Sequence, residues 1–300
     1  MDRAHSVQVA ASTSNLGPGF DFLGLCLDLP LEASIRAGTA GHPHRVEYAH
    51  DVSWTDEDDL ALKAIACYES RFETTLPSAV LRIESAIPVG RGFGSSGAAV
   101  AAALLLAAAF DGADIDERRT ELVELALAVE GHPDNGTASL FGGCTLAVPT
   151  DRGVTVIRQD VHDSIAFAVA WPRDPLPTER ARAALPRDVP FASAVENPRR
   201  LALLLEGLRT GDADLLALGV VDHLHERLRR ALIPGSEEAC AAAREAGAHA
   251  ACLSGAGSGL VALGPHGAMD DIARALASPL EGGRSRVVDF VARAPEIRAQ

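Results

Sequence analysis

Residues 84–110, ESAIPVGRGFGSSGAAVAAALLLAAAF, constrain this chain more than any other stretch. A short β-prone run, Val80, Leu81 and Ile83, ends near Glu84, and Pro88 stops it. Gly90, Gly92, Gly94 and Gly97 follow, with Ser95 and Ser96 between the last two. From Ala98 to Phe110 every residue is apolar and most are strong helix formers. The order is therefore strand, glycine-rich loop, buried helix. Glycines admit positive φ and leave no Cβ between the backbone and a ligand. A helix start presents unpaired N–H groups and partial positive charge. Together they make an anion site, and phosphate is the usual anion. Ser95 or Ser96 can cap the helix, and a serine hydroxyl can ligate Mg²⁺. The bland reading is a tight strand–helix turn with a serine cap. No GK[ST] follows the glycines, so this is not a Walker A loop. Gly90, Gly92 and Gly94 have the wrong spacing for a dinucleotide fingerprint.

A chain of 300 residues is long enough for one large or two ordinary domains with a substantial core. We place a boundary near residue 160, giving an N-terminal region 1–160 with the glycine loop and a C-terminal region 161–300. The net charge of −14 argues against nucleic acid and against an anionic membrane surface as partners. Lys63 is the only lysine among 27 basic residues, so no lysine lies near the glycines. Five scattered cysteines without a C-x-x-C pair indicate neither a disulfide framework nor a cysteine zinc site. The apolar run Ala98–Phe110 spans roughly 20 Å as a helix, too short for a bilayer. With no basic-then-apolar leader, the expected location is the cytoplasm.

Strands and helices alternate in both halves, which predicts a mixed α/β organisation rather than a bundle. His5–Ala11 and Leu23–Ile35 read as strands. Between them STSNLGPGFDFLGL is a turn in which Asn15 and Asp21 are the polar groups able to face a ligand. Residues 56–68 and 116–129 read as helices that begin with acids, as the helix dipole favours. EGHPDN, residues 130–135, places two carboxylates, an imidazole and an amide within six residues. That set suits Mg²⁺ ligation and hydroxyl recognition, or simply a polar helix-ending turn. Thr137–Val148 reads as a strand running through Gly142 and Gly143. The second half reads as a strand at 165–170, a proline-rich loop, and helices near 191–209, 212–231 and 236–246. A strand pair, a helix at 268–277 and a last strand follow. Arg180 and Arg182 lie in WPRDPLPTERAR. His225, Arg227, Arg229 and Arg230 lie in HLHERLRRALIPG, where basic residues also complement a helix C-terminus. LSGAGSGLVAL, residues 253–263, is a second Gly/Ser loop between strands.

Taken together, these segments resemble the small-molecule kinase superfamily of galactokinases, homoserine kinases, mevalonate kinases and phosphomevalonate kinases (GHMP). PVGRGFGSSGAA resembles its ATP loop, P-x-x-x-G-[LF]-G-S-S-A-A, with Gly97 where alanine is usual. STSNLGPGFDFLGL, EGHPDN, PTERAR, HERLRRALIPG and SGAGSG are similar to segments of the homoserine kinase family, in the same order. Departures are Gly136–Ser139 in place of V-A-P-A, Arg227 and Leu228 in place of proline and tyrosine, and Ser258 in place of proline. Asp59 stands where the family often has an asparagine associated with adenine.

The resemblance implies an α+β, two-domain GHMP kinase fold. Its N-terminal domain would be of the ribosomal-S5-domain-2 type and its C-terminal domain ferredoxin-like, with the site in the cleft between them. It implies ATP-dependent phosphorylation of an alcohol, namely the side-chain hydroxyl of L-homoserine, with ATP and Mg²⁺ as cofactors. Pro88, Val89, Gly90, Arg91, Gly92, Phe93, Gly94, Ser95, Ser96, Gly97 and Ala98 would wrap the ATP phosphates. Ser96 and Glu130 would hold Mg²⁺, with Glu124 as the alternative carboxylate. Asn15, Asp21, His132, Asp134, Asn135, Arg182, Arg229 and Gly257 would surround the substrate. Glu130, Ser96, Asp134 and Asn135 would be closest to the chemistry, with Asp134 the nearest base candidate. A small-molecule substrate is the expected partner, nucleic acid and membrane are not, and a homodimer is allowed without being required.

Overall fold

The computed structural model describes residues 4–49 and 55–300. Its helices and strands build two sheets. The first contains β1 (His5–Asn15), β2 (Gly19–Ala37), β3 (Arg45–Tyr48), β4 (Ala79–Ser85), β5 (Cys144–Thr150), β6 (Gly153–Gln159) and β11 (Ile297–Ala299). Its order is β11-β1-β2-β4-β3, with β5 paired to β2 and β6. Among the described residues only β3 and β4 run parallel in this sheet. Helices α1 (Leu60–Phe72), α2 (Ser95–Asp111), α3 (Ile115–Glu130) and α4 (Asp134–Phe141) pack together against this sheet. α2 lies in the middle, touching α1, α3, α4 and β1. It has no polar stripe because it has no solvent face: Val100–Ala108 is entirely buried. Its alanines let three neighbouring helices approach closely.

The second sheet contains β7 (Ile165–Trp171), β8 (Ala250–Leu253), β9 (Leu260–Pro265) and β10 (Arg284–Val288), all antiparallel in the order β10-β7-β9-β8. Alternation along β7 assigns its two faces. Ala166, Ala168 and Ala170 pack beneath α9 (Ser236–Glu245) and α10 (Met269–Ala277). Ile165, Phe167 and Val169 join the large core shared with the first sheet and with α6 (Phe191–Thr210) and α7 (Ala213–Gly219). Both sheets are covered and both are α+β, as the resemblance implies. The chain does not stay divided, because β11 returns to pair with β1. Among the described residues no helix is long and apolar enough to cross a membrane.

Three local expectations are corrected. Thr137 to Phe141 is helical rather than extended; the strand begins only at Cys144. Asp134 sits favourably in the first turn of α4, and the helix buries Ala138 and Leu140. Gly142 and Gly143, both at positive φ, turn the chain into β5. A Cβ on Gly142 would lie 2.1 Å from the Arg293 carbonyl oxygen. The helix expected over 212–231 is broken into α7 and α8 (Glu226–Arg230). The break comes from Asp222, whose Oδ2 accepts from the N–H groups of Leu224, His225 and Glu226 and so starts a new helix. Within the proline-rich segment a short helix, α5 (Thr178–Ala183), carries Arg182 toward the first domain's turn.

Candidate active site

A cleft of about 740 Å³ opens between the two sheets. Val89, Gly90, Gly92, Phe93, Gly94, Ser95 and Ser96 form one wall. Gly90, Gly92 and Gly94 have φ of +70°, +75° and +66°, the left-handed backbone that glycine adopts without strain. The helix they lead into is capped by Gly94 and receives no side-chain cap, so the serine cap expected from sequence is absent. The first turn of α2 thus keeps its N–H groups and positive dipole end toward the cleft. Not every loop residue faces inward. Arg91 donates to the carbonyls of Val89 and Arg173, Ala98 is core, and Pro88 does not line the cleft. Gly97 lies behind the wall, where a Cβ would be 2.9 Å from Asn135 Cβ and 3.1 Å from Glu130 Oε2.

Ser96 donates from its Oγ to Glu130 Oε1 at 2.9 Å, linking the start of α2 to the end of α3. The other oxygen, Glu130 Oε2, is buried and lacks a hydrogen-bond partner among the described residues. Burial pushes the Glu130 carboxyl up to about 7, against the pull of His132 and the Ser96 hydrogen bond and with added repulsion from Asp134. Neither Glu130 nor Glu124 of α3 lines the cleft itself: Glu130 is tied to it through Ser96, which does, whereas Glu124, six residues earlier, lies against Gly153 at the β5–β6 turn.

The next segment folds into a tight polar cluster. Asp134 Oδ1 accepts from His132 Nδ1 at 2.7 Å and from the Asn135 backbone N–H at 2.8 Å. Burial opposes the Asp134 charge, yet the hydrogen bond and charge of His132 win, with the Asn135 N–H and Ser14 adding to them. Its carboxyl is held below the ordinary value. Burial likewise opposes charge on His132, but Asp134 and Glu130 raise it above the ordinary imidazole value. The Asn135 amide is braced from β1. Ser12 Oγ donates to its Oδ1 at 2.9 Å, while Nδ2 donates to Ser14 Oγ at 3.1 Å and to Asp134 Oδ1 at 3.2 Å. Both amide hydrogens are therefore used inside the cluster.

At the other end the two halves meet. Arg182 from α5 makes a bidentate pair with Asp21, at 2.9 and 2.8 Å. That pairing raises the Arg182 guanidinium further, against partial burial. Asn15 Oδ1 accepts from the Asp21 N–H, and Asn15 Nδ2 donates to the Gly255 carbonyl, both at 2.9 Å. Asn15 and Asp21 hold positive φ, +69° and +61°, which short polar side chains tolerate best. Arg229 from α8 is buried but lines the cleft. Burial first, then the Arg182 charge, lowers its pKa below the usual guanidinium value, against Asp21, Asp222 and Asp134. In the SGAGSG loop Gly255 and Ala256 face the cleft. Gly257 is turned away, and a Cβ there would meet Ile233 Cδ1 at 2.6 Å.

The apolar end of the cleft is walled by Leu31, Leu60, Ala61 and Ile83 together with Tyr48. Asp58 borders it, but Asp59 does not. Asp59 is the N-cap of α1, with Oδ1 accepting from Ala61 and Leu62 N–H and Oδ2 accepting from Tyr48 Oη at 2.6 Å. Its role in this chain is helix capping. Sequence reasoning missed Ser12, Ser14, Phe20, Thr178, Asp222 and the buried orientation of His225. Ser12 and Ser14 alternate along β1 just before Asn15, a register signal that points both toward the same face.

Family models for the GHMP kinases N-terminal domain and C-terminal domain match residues 59–143 and 204–282. A homoserine kinase of Nostoc punctiforme is 38% identical over 264 residues, covering 87% of this chain and 86% of that protein. One from Parasynechococcus marenigrum is 37% identical over 300 residues, covering 98% and 93%. The crystal structure of homoserine kinase from Cytophaga hutchinsonii superposes with a TM-score of 0.88 at 23% identity, over 98% of this chain and 97% of that one. A putative homoserine kinase from Listeria monocytogenes gives 0.77 at 26% identity, over 99% and 100%. The glycine loop, the cleft between two sheets and this similarity along nearly the whole length agree: the chain belongs to the homoserine kinase family of the GHMP kinases, ATP-dependent small-molecule phosphotransferases.

Proposed function

We propose that this cleft transfers the γ-phosphoryl group of ATP to the side-chain hydroxyl of L-homoserine. One observation carries the assignment of the acceptor. The same cleft has a phosphate-type glycine loop at one wall and two arginines with an aspartate, Arg182, Arg229 and Asp21, at the other. A zwitterionic amino acid matches the second set. Its carboxylate offers Arg182 and Arg229 a partner, and its ammonium offers one to Asp21, so each member of the Asp21–Arg182 pair can exchange one charge for another. A neutral alcohol would leave the Asp21–Arg182 pair without a ligand charge to meet, and a purely anionic one would compete for Arg182 while offering Asp21 nothing in exchange.

Val89–Ser96 would cradle the triphosphate through backbone N–H groups and the α2 dipole. Ser96 and Glu130 fit a Mg²⁺ ion. The unpartnered, buried Oε2 of Glu130 is an acceptor without a donor, and a hydroxyl beside a carboxylate is a hard-oxygen donor pair. Among the described residues no group of three or more His, Cys, Asp or Glu side chains could hold a metal. That matches an ion which takes most of its ligands from water and phosphate. When bound, Mg²⁺ neutralises phosphate charge that builds up during transfer. The protein's own part is alignment. Asp134 is held ionised and its Oδ1 is already saturated, so it is a poor proton acceptor and a good fixed partner for the acceptor hydroxyl. A loose phosphoryl-transfer transition state asks for positioning and charge stabilisation more than for a strong base.

The deciding experiment is ATP turnover with L-homoserine against L-serine, L-threonine and mevalonate. Preference for homoserine is expected. Equal or better use of mevalonate would reject the amino-acid assignment. Arg182→Leu or Arg229→Leu should raise KM for homoserine about tenfold or more, since one charge-assisted contact is worth roughly 2–3 kcal/mol. KM for ATP should stay within a few-fold.

A further inference from the structure

Arg229 is held in an unusual way for a buried guanidinium. Among the described residues no carboxylate lies within ion-pair distance of it, and its Nε lacks a hydrogen-bond partner. Its Nη1 approaches two neutral acceptors instead: His225 Nδ1 at 3.3 Å and the Gly255 carbonyl at 3.4 Å. Its guanidinium carbon lies 5.0 Å from the centroid of the Phe20 ring. His225 stacks on that same ring, with centroids 4.9 Å apart and 34° between planes.

The two contacts of His225 agree on one tautomer. His225 Nε2 lies 2.9 Å from the Gly17 carbonyl oxygen. A carbonyl only accepts, so Nε2 carries the hydrogen and Nδ1 is bare. A guanidinium only donates, so Arg229 needs that bare nitrogen. His225 is 1% exposed and sits at the N-terminal boundary of α8. Charged groups facing it are Arg229 on one side and Asp222 on the other, whose Oδ1 is 3.7 Å from Nε2. The other Asp222 oxygen is engaged by the backbone at the start of α8.

We infer that His225 is the positioning residue for recognition of the substrate carboxylate, orienting Arg229 through a neutral acceptor that leaves its charge free. A carboxylate at this position would bind Arg229 more strongly but would cancel the charge and compete with the ligand. An imidazole nitrogen fixes the direction of Nη1 without doing either. Through Nε2 the same ring ties Arg229 to Gly17, in the turn that carries Asn15 and Asp21, so the two sides of the amino-acid end move as one. A Cβ on Gly17 would lie 2.1 Å from the Val220 carbonyl oxygen, so this turn is itself seated tightly against the segment leading to His225.

This inference rests on the reading of Arg229 as a carboxylate contact, and the two fail differently. Steady-state kinetics on His225→Phe, His225→Asn and Arg229→Leu, with the double variant His225→Phe/Arg229→Leu, separate them. Phenylalanine keeps the stack on Phe20 and removes both hydrogen bonds; asparagine returns an acceptor near the position of Nδ1. Expected are a rise in homoserine KM of about tenfold for His225→Phe, with KM for ATP within about twofold, and recovery of most of that loss in His225→Asn. His225→Phe should add nothing in the Arg229→Leu background. An unchanged homoserine KM in His225→Phe, a parallel loss for ATP, or an additive effect in the double variant would overturn the proposal. A wild-type KM in Arg229→Leu would instead overturn the reading on which it rests. Should His225→Phe fold poorly, histidine ¹⁵N chemical shifts of the wild-type protein decide the point. A neutral Nε2–H tautomer at His225 is expected, and an Nδ1–H or doubly protonated ring overturns the proposal.

Discussion

Glu130 and Glu124 are six residues apart on one helix, and only their surroundings tell them apart. Glu130 faces Ser96 with one oxygen orphaned; Glu124 faces the β5–β6 turn. Glu130→Gln should therefore reduce phosphoryl transfer by orders of magnitude, on the order of 10²-fold or more, while Glu124→Gln stays near wild type. Initial rates at saturating ATP and homoserine check this, and the reverse outcome would exchange the two roles. The raised Glu130 pKa carries a second consequence. Between its ordinary value of 4.5 and about 7 the folded state holds a proton that the unfolded chain has released, so this group lowers stability as pH rises through that window. Glu130→Gln removes the dependence. Without ligands, the midpoint difference between variant and wild type in thermal unfolding should grow in the variant's favour from pH 5 to 8. A difference independent of pH would show that Glu130 is ionised throughout. Added Mg²⁺ should narrow the gap at the upper end, because a cation supplies the partner that Oε2 lacks.

The glycine loop was readable as an element, but its glycines differ in what surrounds them. Gly90 is exposed and sits at φ +70°, and a Cβ there would meet only the Pro175 Cβ, at 3.0 Å, so Gly90→Ala chiefly strains its own backbone. The cost is roughly 1 kcal/mol, expressed as weaker ATP binding with homoserine binding little changed. Gly94 is different. A Cβ there would fall 2.2 Å from Ser12 Oγ and 2.8 Å from Asn135 Oδ1. Gly94→Val should therefore disturb the brace on Asn135 and weaken binding of both substrates. Calorimetry with ATP and with homoserine, run on each variant separately, tests the contrast; equal effects of the two substitutions would remove it. The segment after EGHPDN shows the limit of local reading. Thr137–Phe141 mixes two strong helix formers, Ala138 and Leu140, with the weaker Thr137, Ser139 and Phe141, and it is helical because Ala138 and Leu140 are buried there and Asp134 suits the first turn. Packing against α2 and α3 decides what mixed propensity leaves open.

The cleft belongs to neither sheet alone. Ser254, at the end of β8, donates to the Gly92 carbonyl at 2.7 Å and lies 3.0 Å from Thr13 Oγ1. Gly90 accepts from Leu176 N–H at 3.1 Å, and Arg91 accepts from Gly259 N–H at 3.0 Å. The glycine loop is thereby stitched to the second sheet while its helix is buried in the first domain's core. Ser254→Ala leaves buried partners unsatisfied, which should cost roughly 1–3 kcal/mol of stability. It should also raise KM for both ATP and homoserine, since the stitch lies between their ends of the cleft. A lowered melting temperature with unchanged KM values would mean that the stitch supports the fold but not the site.

Local chemistry is what the amino-acid sequence by itself determined. Glycines before an unbroken apolar run predict a glycine-rich turn into a buried helix, able to serve as an anion loop, because positive φ and unpaired N–H groups are properties of a few consecutive residues. Asn15, Asp21, Asp134 and the arginines lie in turns and helix ends where polar groups have ordinary structural uses, and their expected site roles came from the resemblance of those segments to the family's motifs. The tertiary structure alone decided which groups meet. Ser12 reaches Asn135 across 123 positions, Arg182 reaches Asp21 across 161, and Asn15 reaches Gly255 across 240. No spacing within a motif encodes such distances. The same applies to the different surroundings of Glu130 and Glu124, to Asp59 as a helix cap and to the contacts of His225. Each depends on which acceptor or donor folding brings within 3–4 Å, and that follows from how two sheets pack around one core.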